Sequence, residues 1–384
     1  MKILYISHLH PPKNAPLKSI GGMQRVSMQL VEELEKRDDI EIKTIIQHAP
    51  WKGIELRTTF FLARLARKLP SIVDDFQPDV ILFSSMVTAS LAKLTRSRID
   101  VPMVTINHGQ DVKMPIGIYQ KFVPKIFNAL DGVISVSRAT RDECIKRGMD
   151  PEKGIALPNG FDMSDFEEVP QKKDAIQSIE KAFSINLSGK KLLLTVGRQV
   201  KRKGHEWFIT EVFPKIETDV IYLAIGDGPE HEHLKELLSK SVYKAKVILA
   251  GKQPDSILKQ AYSAADIFVM PNIPVSGDME GFGIVLLEAN LAATPAVASD
   301  LEGIKDVVVD GKNGFKIPIY EPQKFANKVD ELLKNGLSAF SKNSRSYVKE
   351  NFTWNKVAER YICYLNEVIE KYESATSQSQ SHSI

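Results

Sequence analysis

"IFVMPNIPVSGDMEGFGIVLLEANLAATPAVAS", residues 267–299, predicts a strand, a loop, a helix and a second strand. The apolar run "IFVMP" is typical of a buried strand, and "PAVAS" of another. Between them lie a loop that contains Gly281 and Gly283 and an apolar helix, "IVLLEANLAA". Two strands joined through a helix run parallel in one sheet. The stretch therefore predicts one βαβ unit.

The same alternation of short apolar runs and helical segments extends through both halves of the chain. The predicted strands are 2–7, 42–48, 80–85, 103–108 and 132–137 in the first half, and 191–197, 220–226, 246–251, 267–271 and 295–299 in the second. Most are rich in Val and Ile and apolar throughout, as strands covered on both faces are. The pattern predicts the α/β class, with two doubly wound domains.

Chain length agrees with two domains, because 384 residues are typical of two rather than one. The polar segment 161–174 is the predicted boundary. We expect a first domain over 1–165 and a second over 175–352. Residues 353–373 predict an amphipathic helix. The tail 374–384 is almost devoid of apolar residues, which predicts disorder.

Composition is that of an ordinary soluble globular protein, with 43% hydrophobic and 26% charged residues. No run approaches 18 uninterrupted apolar residues, so no transmembrane helix is predicted. Cys144 and Cys363 lack metal-ligand spacing and are interpreted as reduced thiols of a cytoplasmic protein. Residues 1–150 hold 22 Lys and Arg against 16 Asp and Glu, an excess of +6 that permits an anionic surface as partner.

Ligands of open parallel sheets bind beyond the carboxyl ends of the strands, so the residues that follow each strand are the candidates. Gly21 and Gly22 end the first loop before a helix and would let a phosphate approach backbone N–H groups. His108 ends the fourth strand. A loop without a ligand and a structural histidine are the alternatives for these positions.

In the second half, "TVGRQVKRKGHEW" places Gly197, Arg198 and Lys203 after a buried strand. The Arg fork and the Lys point charge both suit phosphate oxygens. A solvated basic loop is the alternative, because four cations fall within 198–203. The turn "GDGPE" (226–230) lacks the G-x-G-x-x-G spacing of a dinucleotide fingerprint.

The loop and helix of the opening stretch carry two carboxylates, Glu280 and Glu288. Gly281 and Gly283 allow a tight turn, and the helix that begins at Ile284 presents its positive end. Along the chain, Glu280 offers a carboxylate for sugar hydroxyls, the start of the helix offers backbone N–H groups for an anion, and Glu288 offers a second carboxylate for a ribose. That order matches a nucleotide sugar laid along the loop.

With these motifs the chain resembles the retaining GT-B glycosyltransferases of glycosyltransferase family 4, over nearly its whole length. The family's Glu-x7-Glu motif corresponds to Glu280–Glu288, its glycine loop to Gly21-Gly22, and its basic pair to Arg198 and Lys203. Its interdomain turn corresponds to "PNGFD" (158–162), and its "DGxNG" segment to "DGKNG" (310–314). The resemblance implies two Rossmann-like domains that face a central cleft, with the last helix crossing back to the first domain.

The resemblance also implies roles. Arg198 and Lys203 would hold the donor diphosphate and stabilise it as it leaves. Glu280 would bind the donor sugar, Glu288 the ribose, and His108 would lie near the sugar. The remaining implied donor contacts are Gly21, Gly22, Gly197, Gln253 of the base-binding "GKQPD" (251–255), Gly281, Phe282, Gly283 and Ile284. No cofactor or metal is expected, and no Asp-x-Asp pair is present.

The acceptor and the donor base stay open. The basic, apolar segments 60–70 and 114–130 suit either an anionic membrane and a lipid-linked saccharide, or a solvated helix face and a soluble glycan. GDP-mannose and UDP-hexoses are both candidate donors, and no nucleic acid is expected as a partner. The alternative functions are a nucleotide-sugar epimerase of GT-B-like fold, a noncatalytic nucleotide-sugar-binding protein, and a pyridoxal-phosphate-dependent glycan phosphorylase.

Overall fold

The computed structural model describes residues 1–12, 22–49, 53–114, 116–166, 168–335 and 337–381. The chain divides into two compact units. Unit 1 comprises Met1–Phe161 together with Trp354–Ile384, and unit 2 comprises Asp162–Thr353. The division falls at the start of the polar segment 161–174.

Unit 1 is built on a six-stranded parallel sheet. Its strands are β1 (Lys2–His10), β2 (Glu41–His48), β3 (Val80–Phe83), β4 (Met103–Asn107), β5 (Gly132–Ser135) and β6 (Gly154–Ala156), in the order β2-β1-β3-β4-β5-β6. Its helices are α1 (Gly22–Glu35), α2 (Ile54–Phe76), α3 (Ser90–Thr95), α4 (Gln110–Lys113), α5 (Gly117–Ala129) and α6 (Arg138–Lys146). The five predicted strands are confirmed. The sixth, β6, was missed because its three half-buried residues form no apolar run.

Unit 2 repeats this architecture. Its strands are β7 (Lys191–Val196), β8 (Val220–Ile225), β9 (Val247–Leu249), β10 (Ile267–Met270), β11 (Ala296–Ser299) and β12 (Gly314–Ile317), parallel and in the order β12-β11-β10-β7-β8-β9. Its helices are α7 (Lys172–Phe183), α8 (His205–Trp207), α9 (His231–Ser239), α10 (Asp255–Ala264), α11 (Ile284–Leu291), α12 (Ile304–Val307), α13 (Pro322–Asn335) and α14 (Ser338–Asn351). The predicted strands are again confirmed, and β12 was missed because Lys316 interrupts its short apolar pattern at the sheet edge.

Each sheet contains one point at which the strand order reverses. In unit 2 this point lies between β7 and β10, which pair directly although 70 residues separate Ile267 from Val196 along the chain. All six residues of β8 and all four of β10 are buried, so helices cover both faces of the sheet. Doubly wound sheets bind ligands beyond the carboxyl ends of the strands at such a switch point. The loops that follow β7 and β10 are therefore the expected position of a ligand-binding site.

The last helix, α15 (Trp354–Ser381), packs on unit 1. Its Tyr364 hydroxyl donates to the Lys153 carbonyl at 2.5 Å and accepts from the Val133 N–H at 3.0 Å. Gly160 lies against the Trp354 indole, where a Cβ would approach ring atoms to 2.3 Å. The helix thus returns to the unit in which the chain begins.

The prediction that residues 374–384 are disordered differs from the structure, in which α15 continues to Ser381. The hydroxyls of Ser374, Thr376 and Ser377 donate to the carbonyls four residues earlier, at 2.8–2.9 Å. Extending a helix that packing has already nucleated costs far less free energy than nucleating a new helix. Low apolar content therefore did not end the helix at residue 373, and residues 382–384 lie outside the described part of the chain. No helix of the described residues has the length and apolar character that crossing a bilayer requires.

Candidate donor-binding site

The switch point of unit 2 brings together the loops that follow β7 and β10. The Ile273 N–H donates to the Arg202 carbonyl at 2.9 Å, which joins the two loops through their backbones. Lys203 Nζ donates to Glu280 Oε2 at 2.6 Å, which joins them through side chains. Gly197 lies beside the Lys203 stem, where a Cβ would be in ordinary contact with Lys203 Cε at 3.4 Å. Three predicted site residues, Gly197, Lys203 and Glu280, therefore meet.

Glu280 lies at the centre of a charged cluster that the sequence analysis captured only in part. Its Oε2 accepts hydrogen bonds from Lys203, from the Arg202 guanidinium and, at 3.2 Å, from Asn272 Nδ2. Arg202 also donates from Nε to Asp278 Oδ1 at 3.0 Å. Arg202 and Asn272 were not predicted. The cation run 198–203 was a signal for Arg202, whereas Asn272 had none beyond its place at a strand end.

The cluster sets the protonation state of Glu280. Burial raises the pKa of its carboxyl, but the charges of Lys203 and Arg202 outweigh burial and hold the pKa at about 2. Burial lowers the pKa of the Lys203 ammonium, and the Glu280 charge opposes that effect. Glu280 is therefore a carboxylate at neutral pH and can only accept hydrogen bonds. No described residue donates to its second oxygen, Oε1.

Arg198 differs from Lys203 in its surroundings. Its side chain is exposed, and it makes no hydrogen bond or ion pair with any residue that the structure describes. Lys203, in contrast, is buried at the end of the 3-10 turn Lys201–Lys203. The same loop thus holds two cations already paired with carboxylates, Arg202 and Lys203, and an exposed Arg198 that is available to an anion.

Hydrogen bonds to the loop after β11 stabilise the turn that leads from Glu280 into α11. The Glu280 N–H donates to Glu302 Oε2 at 2.5 Å, and the Gly303 N–H donates to the Glu280 carbonyl at 3.0 Å. Gly283 adopts the left-handed conformation, with φ of +91°, and Ile284 begins the helix. Gly281 is not at positive φ, although the chain bends there.

The first turn of α11 supplies backbone N–H groups, as the start of any helix does. The Phe282 side chain is buried and packs against Phe352, with ring centroids 6.1 Å apart. Phe282 therefore anchors the loop, and only its backbone remains available for the predicted contact with the donor.

The second carboxylate, Glu288, is positioned by a tyrosine that the sequence analysis missed. The hydroxyl of Tyr262, on α10, donates to Glu288 Oε2 at 2.6 Å. The Tyr262 side chain is 1% exposed and contacts the rings of Phe166 and Phe268. Its hydroxyl position is therefore fixed by packing. An apolar helix pattern gives no sign of such a hydroxyl.

Gln253 follows β9 in the predicted base-binding turn. Its side-chain Nε2 donates to the Ala250 carbonyl at 2.6 Å, so the amide shapes its own turn. The "DGKNG" segment is likewise structural: Asn313 donates to Asn290 Oδ1 and to the Val307 carbonyl, each at 2.9 Å.

The candidate residues of unit 1 lie at the carboxyl end of its own sheet. His108 follows β4, and its Nε2 donates to the Ser84 carbonyl at 3.0 Å. Asp111 accepts from the His108 N–H at 2.9 Å. His8 lies nearby, and burial together with His108 lowers its pKa to about 4. Gly22 begins α1, whereas Gly21 lies outside the described residues.

Two family models match the chain. "Glycosyl transferases group 1" matches residues 177–352, and "Glycosyltransferase Family 4" matches residues 20–165. An uncharacterized glycosyltransferase of Methanocaldococcus jannaschii is 25% identical over 94% of this chain and 97% of its own. The GDP-mannose-dependent alpha-(1-6)-phosphatidylinositol monomannoside mannosyltransferase of Mycolicibacterium smegmatis is 24% identical over 92% and 95%.

The fold also matches a solved structure, that of Anabaena HepE in complex with UDP. It has a TM-score of 0.71 and 19% identity, and the match covers 96% of this chain and 100% of that one. Two doubly wound six-stranded units with this structural match have the GT-B fold. The chain belongs to glycosyltransferase family 4, because the two family models together match most of its length.

Proposed function

We propose that this glycosyltransferase transfers a hexosyl unit from a UDP- or GDP-sugar to a saccharide or a lipid-linked saccharide, with retention of anomeric configuration. Arg198 and Lys203 hold the diphosphate, Glu280 binds the sugar and Glu288 the ribose. Gly21, Gly22, Gly197, Gln253 and residues 281–284 supply further donor contacts, and His108 lies near the sugar. The UDP of the Anabaena complex and the GDP-mannose dependence of the mycobacterial relative support a nucleotide-sugar donor.

The observation that carries the proposal is the pairing within the Glu280 cluster. One oxygen of Glu280 is occupied by Lys203, Arg202 and Asn272, and the other has no described donor. Arg198, exposed and without a partner among the described residues, lies five residues before Lys203 in the same loop. The arrangement offers an acceptor for a sugar hydroxyl and, in Arg198, a cation for a phosphate.

The same pairing argues against Glu280 as a covalent nucleophile. A carboxylate with a pKa of about 2 that is held by two cations has little basicity left for attack on carbon. The anomeric configuration is then retained because the acceptor oxygen attacks C1 of the donor sugar from the same face that the diphosphate leaves. The bond from C1 to the phosphate oxygen breaks, the bond from C1 to the acceptor oxygen forms, and the acceptor proton passes to the departing phosphate.

Thermal unfolding with a panel of nucleotide sugars tests this proposal. A donor at 100 times its Kd should stabilise the fold by about 2.7 kcal/mol. For a unit of this size that is a rise in Tm of roughly 5–10 °C. UDP-glucose, UDP-galactose and GDP-mannose would be compared with UDP, GDP and ATP. No shift with any nucleotide sugar would contradict the proposal.

Tyr262→Phe should raise the KM for the donor about 10-fold with little change in kcat, because a hydrogen bond to a charged group contributes about 1.5 kcal/mol or more. The variant removes the hydrogen bond from the Tyr262 hydroxyl to Glu288 Oε2 while it keeps the ring in place. Tyr222→Phe is the control, since its buried hydroxyl bonds to Thr195 and His205 instead. An unchanged KM in Tyr262→Phe would remove Glu288 from the donor site.

Transfer should continue in a chelator, because the charge that develops on the leaving diphosphate is met by Arg198 and Lys203 rather than by a metal. We expect equal initial rates after dialysis against EDTA and with added Mg²⁺ or Mn²⁺. Loss of activity that either cation restores would contradict this expectation.

We further propose that α2 holds the enzyme on an anionic membrane at the cytoplasmic side. Leu56 and Phe60 are 65% and 68% exposed and share a helix face with the exposed cations Arg64, Arg67 and Lys68. Phe61 and Leu65, in contrast, pack into the core and cannot contribute. Cys363 is exposed and forms no disulfide with a described residue, which supports a reducing compartment.

Changing Arg64, Arg67 and Lys68 to Glu should abolish co-sedimentation with phosphatidylserine vesicles at low salt. Each cation near such a surface contributes about 1 kcal/mol, and salt screens the attraction. The control changes three exposed lysines of unit 2, Lys235, Lys240 and Lys244, to Glu, so that net charge falls equally. Equal binding by both variants, or none by the wild type, would favour a soluble acceptor.

A further inference from the structure

Three side chains that the donor site does not use converge on the surface of unit 2. They are Glu206 of α8, Glu230 at the start of α9, and His233 of α9. Their ligand atoms all lie within 4.8 Å of one another, and His233 Nε2 lies 3.1 Å from Glu206 Oε2. Glu230 and His233 are three residues apart, so they share one helix face, and Glu206 meets them from a different element.

The charges of this cluster are not balanced by described neighbours. Glu230 makes no side-chain hydrogen bond or ion pair with any described residue, and the one described side chain that contacts the Glu206 carboxylate is His233. Two carboxylates that face one imidazole disfavour each other's charge, and a cation between them would remove that cost. The arrangement is therefore better suited to an ion than to the side chains alone.

A second observation comes from the cavity beside the cluster. It has a volume of about 380 Å³, and Glu206, Glu230 and His205 all line it. His205 is 3% exposed; its Nδ1 contacts the Tyr222 hydroxyl at 3.1 Å, and that hydroxyl donates to Thr195. Nδ1 must then carry the proton, which leaves Nε2 as an acceptor with no described partner. Buried acceptors of this kind usually have a bound water or ion.

We propose that Glu206, Glu230 and His233 bind a divalent transition-metal ion of the Zn²⁺ class. One imidazole and two carboxylates are ligands that Zn²⁺ accepts at about 2.0–2.2 Å, commonly with water in a fourth position. Glu206 and His233 are about half exposed, so their side chains can close on an ion at low cost. The ion joins α8, which follows directly after the Lys203 loop, to α9, and the proposal does not depend on the donor assignment.

Calorimetric titration of the tag-free, chelator-treated protein with Zn²⁺ tests the site, and Co²⁺ absorption reports its coordination. The wild type should bind one equivalent. In His233→Ala and Glu206→Gln the affinity should fall at least about 10-fold, since even the loss of an outer-shell partner costs 10- to 100-fold. Glu232→Gln is the matched control, because this exposed neighbour on α9 pairs with Lys235 instead.

Unfolding curves of the metal-free variants should match that of the metal-free wild type, because the replaced side chains are at the surface. Zn²⁺ should raise the Tm of the wild type and of Glu232→Gln but not of the two ligand variants. Absence of a saturable site in the wild type would overturn the proposal, as would equal affinity in the ligand variants. Neither result would affect the proposed transfer reaction, because no donor is present.

Discussion

Arg198→Ala should slow glycosyl transfer about 100- to 1000-fold, which corresponds to roughly 3–4 kcal/mol of lost transition-state stabilisation. The guanidinium is exposed and unpaired among the described residues, so it is free to meet the charge that develops on the departing diphosphate. For the same reason the unfolding free energy should not change. Steady-state kinetics and urea unfolding of the same preparation measure both quantities.

Lys201→Ala is the matched control for Arg198. Lys201 is an exposed cation of the same loop, and no predicted role depends on it. A loss confined to Arg198→Ala would identify a specific contact, whereas equal small losses would mean that the loop acts only through its overall charge. Near-normal turnover of Arg198→Ala would contradict the assignment.

Lys203→Ala should reduce transfer at least as much as Arg198→Ala, because it removes a cation and one of the three donors that position Glu280. Unlike Arg198→Ala, this variant should also lower the free energy of unfolding. Removal of one partner of a buried ion pair costs about 3–5 kcal/mol when nothing replaces it. Arg202 and Asn272 still hold Glu280 Oε2, so a smaller loss of unfolding free energy is expected.

The double variant Lys203→Met with Glu280→Gln separates the two effects. It removes both charges of the pair, so its unfolding free energy should recover relative to Lys203→Ala, while transfer stays abolished. Recovered transfer in the double variant would show that Lys203 acts only by pairing with Glu280, and it would contradict a role for Lys203 at the diphosphate.

The fold was predictable because most of its strands are apolar runs between helical segments. Strands such as Val220–Ile225 are buried on both faces, and burial imposes a composition that is visible in the sequence. The elements that the sequence did not predict are those whose composition carries no apolar signal. The short edge strands β6 and β12 show no apolar run, and the end of α15 is stabilised by hydroxyl-to-carbonyl hydrogen bonds in a polar segment.

The loops of the candidate site were predictable for a different reason, since strand ends and glycines mark them. Which side chains contact each other in these loops was not predictable. That Lys203 rather than Arg198 contacts Glu280 depends on which residue of a four-cation run is turned inward by the 3-10 turn Lys201–Lys203. Tyr262 comes from α10, and Asn272 from the start of the same loop as Glu280. Only the folded chain brings these side chains to Glu288 and Glu280.

The anomeric configuration of the released or transferred sugar tests the central claim most directly. Proton NMR would follow an α-linked nucleotide sugar, with and without a glycan acceptor, from the first minutes of turnover. The proposed same-face reaction predicts an α-configured product, with water or the glycan as acceptor. A β-configured first product, or conversion of the donor into an epimeric nucleotide sugar without transfer, would contradict it.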